Sequence, residues 1–156
     1  MRLSLTPIEP VRKTRIVPLD TAEAFDLFTA RMDTWWPMLT HSITEHEASG
    51  VRFEPYVGGH IVERAPDGTE YRWADVIAWD PPERFVVAWH PSLEPRAATI
   101  LEVRFHPVAE GGTRVDLEHR AWEELGSERG PSMRNGYERG WDIVLGPFEQ
   151  ATMRGS

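Results

Sequence analysis

The sequence predicts an α+β fold in which a curved antiparallel sheet of about seven strands wraps around a long C-terminal helix and leaves a cavity between them. Three observations predict it. Residues 131–150 are the only long segment whose apolar residues repeat at a helical period. At about 100° per residue, Met133, Tyr137, Trp141, Val144 and Phe148 share one arc with Leu145 at its edge, while Asn135, Glu138, Arg139, Asp142 and Glu149 take the other face. Such a helix cannot bury its stripe alone and needs an apolar, extended partner. Most of the chain upstream, from Val51 onward above all, reads as short alternating runs broken by turn signals. Finally, the 156 residues include seven tryptophans, and large rings either fill a core or wall a cavity.

Taken in order, residues 11–17 read as a first strand, weakly patterned, with Val11, Lys13, Arg15 and Val17 alternating against Arg12, Thr14 and Ile16. Asp20 or Thr21 caps a first helix carrying Ala22, Phe25, Leu27, Phe28 and Met32, which runs to Trp35-Trp36 and is stopped by Pro37. Residues 38–50 are polar and irregular and suit a functional loop at the rim of a pocket. Turns at Val57-Gly58-Gly59, Pro66-Asp67-Gly68, Asp80-Pro81-Pro82-Glu83 and Gly111-Gly112 then divide a meander. Its strand at 84–89 sets Phe85, Val87 and Trp89 on one face. That at 99–105 sets Thr99, Leu101, Val103 and Phe105 together. That at 113–120 points Thr113, Val115, Leu117 and His119 inward. Opposite-charge pairing predicts that Glu102 faces Arg120 and Arg104 faces Glu118, with Phe105 opposite Leu117. In the closing helix Gly140 interrupts the apolar arc, and Pro147 predicts a kink or an early stop.

The length suits one domain, spanning 1–156 with a core from about 11 to 150. Seventeen Lys and Arg against 25 Asp and Glu give a net charge of −8, with no basic patch, so nucleic acid is not an expected partner. The absence of cysteine excludes disulfides, thiolate metal sites and a cysteine nucleophile, and fits a reducing compartment. No run is apolar or long enough for a signal peptide or a membrane span, so a cytoplasmic protein without stable membrane association is expected. A homodimer is compatible with the sequence.

The segments WWP at 35–37, HSI at 41–43, VRFEPYVGG from Val51, WDPPERF from Trp79, WHP at 89–91, LEHRAWEELG from Leu117 and GYERGWDIVLGPF from Gly136 resemble one family. They are similar to the stand-alone bacterial proteins of the START-like (SRPBCC) superfamily that resemble the C-terminal domain of the activator of heat-shock protein 90 ATPase. The resemblance covers residues 11–150 and implies the helix-grip fold. It also implies a deep, mostly apolar cavity of the kind that takes lipids, sterols, polyketides or aromatic compounds, in a superfamily where some members are cyclases. Co-chaperone activity is not expected to transfer, because the eukaryotic activators carry a separate chaperone-binding domain for which this chain has no room.

His119 and Glu63 are the candidate catalytic residues. His119 points inward beside Val115 and Leu117 and could act as a general base or ligand contact; no triad-like company is evident, which favours an imidazole hydrogen-bonded within the core. Glu63 could face inward with Ile61, or His60, Val62 and Arg64 could form the inner set; alternation leaves both open, as it does the orientation of Trp73. A buried Glu63 would be a candidate acid or base. His41, Glu45, His46 and Glu47 superficially suggest a metal, yet their spacing matches no two-histidine helical zinc motif, and no metal or cofactor is expected. The glycine pairs open no helix and cradle no phosphate. The expected ligand-facing set is Trp35, Trp36, Phe53, Trp73, Trp89, Leu101, Val103, His119, Met133, Tyr137, Gly140 and Trp141, with Trp122 and the segment after it near the rim. These residues imply a binding protein for a small apolar or aromatic ligand. A cyclase, dehydratase or hydrolase-like enzyme using the same cavity is the alternative. A protein-interaction module, the third class, requires a filled interior and an exposed apolar patch.

Overall fold

The alternating runs pair in sequence, and a computed structural model describing residues 7–38, 40–43, 50–91 and 98–154 shows the outcome. Seven strands form one curled antiparallel half-barrel in the order β1-β7-β6-β5-β4-β3-β2. They are β1 (Val11–Val17), β2 (Gly50–Phe53), β3 (His60–Arg64), β4 (Glu70–Asp80), β5 (Arg84–Trp89), β6 (Thr99–Pro107) and β7 (Thr113–Arg120). Helix α1 (Thr21–Phe28) follows β1, and α2 (Arg129–Arg154) lies across the concave face as the grip helix.

Helix α1 starts where the sequence places it, with the Asp20 carboxylate accepting from the Glu23 N–H at 2.8 Å. It ends eight residues later, well short of Trp36. Two side chains take up carbonyls of its last turns: the Thr29 hydroxyl donates to Phe25 O at 2.7 Å and the Trp35 indole to Leu27 O at 2.7 Å. The chain then tightens into a 3-10 turn at Met32–Thr34. Phe25 and Phe28 of α1 pack on Phe85 and Phe105 with ring centroids 5.2–6.2 Å apart, and Phe148 of α2 meets Phe28 edge-to-face at 5.0 Å. Each buried ring contributes about 1.5–3 kcal/mol, so this end of the concave face is a solid core.

The β6–β7 register differs from the charge-based expectation: Phe105 lies opposite Val115 and Glu102 opposite Glu118. Charge is satisfied away from the direct pairs instead: Glu102 receives Arg104, two residues along its own strand, at 2.7 Å and, diagonally across strands, Arg120 at 2.8 Å and Arg84 at 3.9 Å. Burial pushes the Glu102 carboxyl up, but these arginines outweigh it and hold it below the usual range. The register continues into the turn, where Val108 N–H bonds Gly112 O at 3.0 Å.

Pro147 does not stop α2, which continues to Arg154. Leu145 and Phe148 flank the proline, with Val144 and Ala151 one turn either way, and all four are buried. That packing outweighs the roughly 3 kcal/mol that an interior proline costs. The polar flank of α2 is pinned to β1: Lys13 Nζ reaches Asp142 at 3.0 Å and Glu138 at 3.3 Å, and Arg15 reaches Asp142 and Glu149 at 2.8 Å each.

Candidate functional site

Two irregularities in β4 shape the other end of the concave face. Ile61 and Val62 of β3 are adjacent, yet their partners are Ala74 and Arg72, so Trp73 is an extra residue on β4. Ile77 is a second, between the partners of Val87 and Val86. Bulges of this kind bend a strand and re-aim a side chain. Trp73 is turned inward and buried, whereas Ile77 is left half exposed at 49%. The pairing of Val51 with Glu63 and Phe53 with Ile61 also settles the face of β3, because antiparallel partners share a face. Glu63 is inward and fully buried.

A cavity of about 410 Å³ opens between β4, β5 and the N-terminal half of α2. Trp73 comes from β4, Trp89 from β5, Trp36 and His41–Ile43 from the connection after α1, and Pro91 from beyond β5. Ser132, Met133, Gly136, Tyr137, Gly140, Trp141 and Val144 come from α2. Four indoles form the wall, with Trp36 at 5.1 Å from Trp73, 6.2 Å from Trp89 and 5.9 Å from Trp141 between ring centroids. Every one of their N–H groups is used on a protein acceptor. Trp36 donates to His41 O at 2.7 Å, Trp73 to Glu63 Oε1 at 3.0 Å, Trp89 to Tyr137 Oη at 2.9 Å and Trp141 to His119 Nδ1 at 3.0 Å. What the four tryptophans offer a guest is therefore apolar ring surface.

Gly136 and Gly140 lie one turn apart on the same wall. A Cβ built at either would meet nothing within 4 Å, so α2 presents bare backbone to open space there and not to a close-packed strand. The polar side chains at the cavity are His41, Ser42, Ser132 and Tyr137. Burial raises the Tyr137 pKa, outweighing the lowering effect of the Trp89 hydrogen bond, so the phenol stays protonated at neutral pH. Its oxygen accepts from Trp89, which leaves its proton to donate.

Of the ligand-facing set expected from the sequence, Trp36, Trp73, Trp89, Met133, Tyr137, Gly140 and Trp141 are brought together on this wall. Trp35, Phe53, Leu101, Val103 and His119 are not. Trp35 packs on Phe28 and Phe148 at 5.2 Å each, and Phe53 on Phe85 at 5.0 Å and Trp79 at 5.6 Å, inside the solid core. Leu101 and Val103 lie buried between strand neighbours on β6. His119 sits one layer behind the wall. Its Nδ1 accepts from Trp141, which assigns the proton to Nε2, and Nε2 meets Thr99 Oγ1 at 2.7 Å. Both nitrogens are thus engaged, and desolvation lowers the pKa to about 3, so the imidazole is a neutral hydrogen-bonding hub. Trp122 covers it from behind at 4.2 Å and donates to His119 O at 2.8 Å, so it too belongs to the second layer.

Residues 41–43 at the mouth agree with the loop reading, but Ser132, Gly136, Pro91 and Val144 were not in the expected ligand-facing set, although Val144 lies on the apolar arc read for the closing helix. Gly136 also carried a signal, being a glycine four residues before Gly140 on the same face. Glu45, His46 and Glu47 lie outside the described residues, while His41 Nδ1 pairs with Thr40 Oγ1 at 2.7 Å. Among the described residues no cluster of three His, Asp or Glu side chains could hold a metal, and no helix is long and apolar enough to cross a membrane.

The family described as activator of Hsp90 ATPase homolog 1-like protein matches residues 20–152. Solved structures share the architecture. Protein MLL2253 from Mesorhizobium loti is 17% identical over 95% of this chain and 99% of its own, with a TM-score of 0.67. CalU16 from Micromonospora echinospora is 16% identical over 90% of this chain and 71% of its own, at 0.62. An anthrahydroquino-gamma-pyrone synthase, Txn09, is 34% identical over 82% of this chain and 86% of its own, at 0.58. No match was found among curated proteins.

Proposed function

The chain belongs to the family of activator of Hsp90 ATPase homolog 1-like proteins, and on that footing we propose that it binds a flat, polycyclic aromatic molecule in the cavity between the sheet and α2. The observation that carries this reading is the wall of four tryptophans whose N–H groups all point into protein. Such a wall rewards stacking by a guest with extended π-surface and does little for a flexible chain. Tyr137 supplies one neutral donor for a carbonyl at the edge of the guest, and His41, Ser42 and Ser132 supply polar contacts nearer solvent. The likeness to Txn09, whose name specifies an anthrahydroquinone-derived skeleton, supports the same ligand class. A three-ring quinone of about 16 heavy atoms, at roughly 0.3–0.5 kcal/mol per atom, would bind with a Kd between about 1 and 300 μM.

Titration of tryptophan emission with 1,8-dihydroxyanthraquinone tests the proposal, with palmitate as the comparison. Saturable quenching with one bound quinone by native mass spectrometry, and weaker binding of palmitate, is expected. Absence of quinone binding in protein shown to be ligand-free overturns it. Ring closure on a bound aromatic precursor is a second reading, favoured by the 34% identity to a synthase. In it the Tyr137 phenol would polarise a carbonyl of the guest and His41 would relay a proton at the mouth.

A further inference from the structure

Glu63 is the one fully buried carboxylate in the described structure, and the wall of the cavity hangs on it. Its Oε1 accepts two hydrogen bonds, from the Ile43 backbone N–H at 2.6 Å and from the Trp73 indole at 3.0 Å. Both donors belong to cavity-wall residues. A carboxylate so buried persists only when donors compensate its lost hydration, and these two donors come from wall pieces distant in sequence. Residues 41–43 are held on either side of Ser42, where Trp36 grips His41 O and Glu63 grips Ile43 N–H, while the Ser42 hydroxyl donates to Met38 O at 2.6 Å and the His41 N–H to Pro37 O at 2.9 Å; of these ties only the Glu63 one reaches the sheet. Among the described residues that line the cavity Glu63 is not one, so it acts from behind the wall.

We infer that Glu63 is a positioning residue that locks the 41–43 wall to the Trp73 ring, and that this fixed spacing gives the site its preference for flat ligands. The inference rests on the binding function proposed above. Loss of the anchor releases the Ile43 amide and frees both the loop wall and the Trp73 ring to move apart, so the cavity accepts thicker guests and grips flat ones less.

The test compares the parent with Glu63→Ala and Glu63→Gln, the latter keeping an acceptor oxygen in the same place. Amide exchange at Ile43, followed by NMR without ligand, is expected to be slow in the parent and in Glu63→Gln and at least about tenfold faster in Glu63→Ala. With 1,8-dihydroxyanthraquinone and the thicker probe cholate, the parent prefers the flat quinone by about tenfold or more; Glu63→Gln keeps that ratio and Glu63→Ala brings it within about threefold. If Glu63→Ala does not fold, Ile43→Pro removes the same hydrogen bond from the loop side, with Ile43→Val as its side-chain control, and the same collapse of the ratio is expected. Unchanged Ile43 exchange in Glu63→Ala, or an unchanged ratio in Glu63→Ala or Ile43→Pro, overturns the inference. Failure of the parent to bind either probe overturns the binding function and the selectivity claim together, and Ile43 exchange then decides the anchoring claim alone.

Discussion

Replacing Gly140 separates a wall built for a guest from a wall built for packing. Glycine in a helix interior costs about 1 kcal/mol relative to alanine, and open space around its missing Cβ means that nothing in the fold requires the glycine. Gly140→Ala should therefore raise stability by about 1 kcal/mol, or roughly 2–4 °C in Tm for a chain of this size. Gly140→Leu keeps that gain and places four carbons in the cavity beside Tyr137 and Trp141. Each methylene it buries against the rings adds up to about 0.8 kcal/mol, so it should melt no lower than the parent. The same four carbons occupy the guest's volume, and quinone affinity should fall at least about tenfold, or 1.4 kcal/mol. Thermal melts and emission titrations on the three proteins read both effects. A Gly140→Leu protein that melts well below the parent, or that binds quinone as tightly, refutes the reasoning.

His119 is held neutral with a pKa near 3, whereas an unfolded histidine titrates near 6.5. Its contribution to stability is therefore complete above about pH 6.5 and is lost as pH falls towards 3, and urea titrations should show the advantage of the parent over His119→Gln shrinking by about 2 kcal/mol between pH 7 and pH 5. Tyr137→Phe strands the Trp89 indole N–H without its acceptor and should cost about 1–2 kcal/mol by chemical denaturation, together with weaker binding of carbonyl-bearing guests. Burial raises the Asp142 pKa, but hydrogen bonds from Lys13 and Arg15 outweigh it and leave the carboxyl lowered. Asp142→Ala should still cost under about 1 kcal/mol, because the group is exposed, and the loss should diminish in high salt.

Strands β5 and β7 have the bounds that alternation assigns, and His119 faces inward as its neighbours require, because period-2 patterning on a half-buried sheet leaves no other arrangement. The grip helix was equally legible from its apolar arc. The faces of Trp73 and Glu63 were not. That of Trp73 depends on a bulge, which is a two-against-one count between strands and leaves no mark in either strand alone, and that of Glu63 on which residues of β2 it pairs with. The β6–β7 register failed for a related reason: long arginines reach Glu102, Arg120 diagonally and Arg104 along the strand, so directly opposed charges were a poor guide. The tryptophan surplus announced a cavity, yet which rings wall it depended on where α1 stopped. Once the helix ended at Phe28, the chain carried Trp35 into the core and Trp36 to the cavity, although the two are neighbours in sequence.

Seven tryptophans give the central claim a direct reading, since each has one indole N–H resonance in a proton–nitrogen NMR spectrum. Titration with 1,8-dihydroxyanthraquinone should shift the indole signals of Trp36, Trp73, Trp89 and Trp141, whose rings wall the cavity. Those of Trp35, in the core beside α1, and Trp79, packed against it through Phe25, should stay within a small fraction of that shift, and Trp122, behind His119, should move little. Shifts confined to Trp35 and Trp79, or no shift in any of the seven at saturating quinone, would contradict the account.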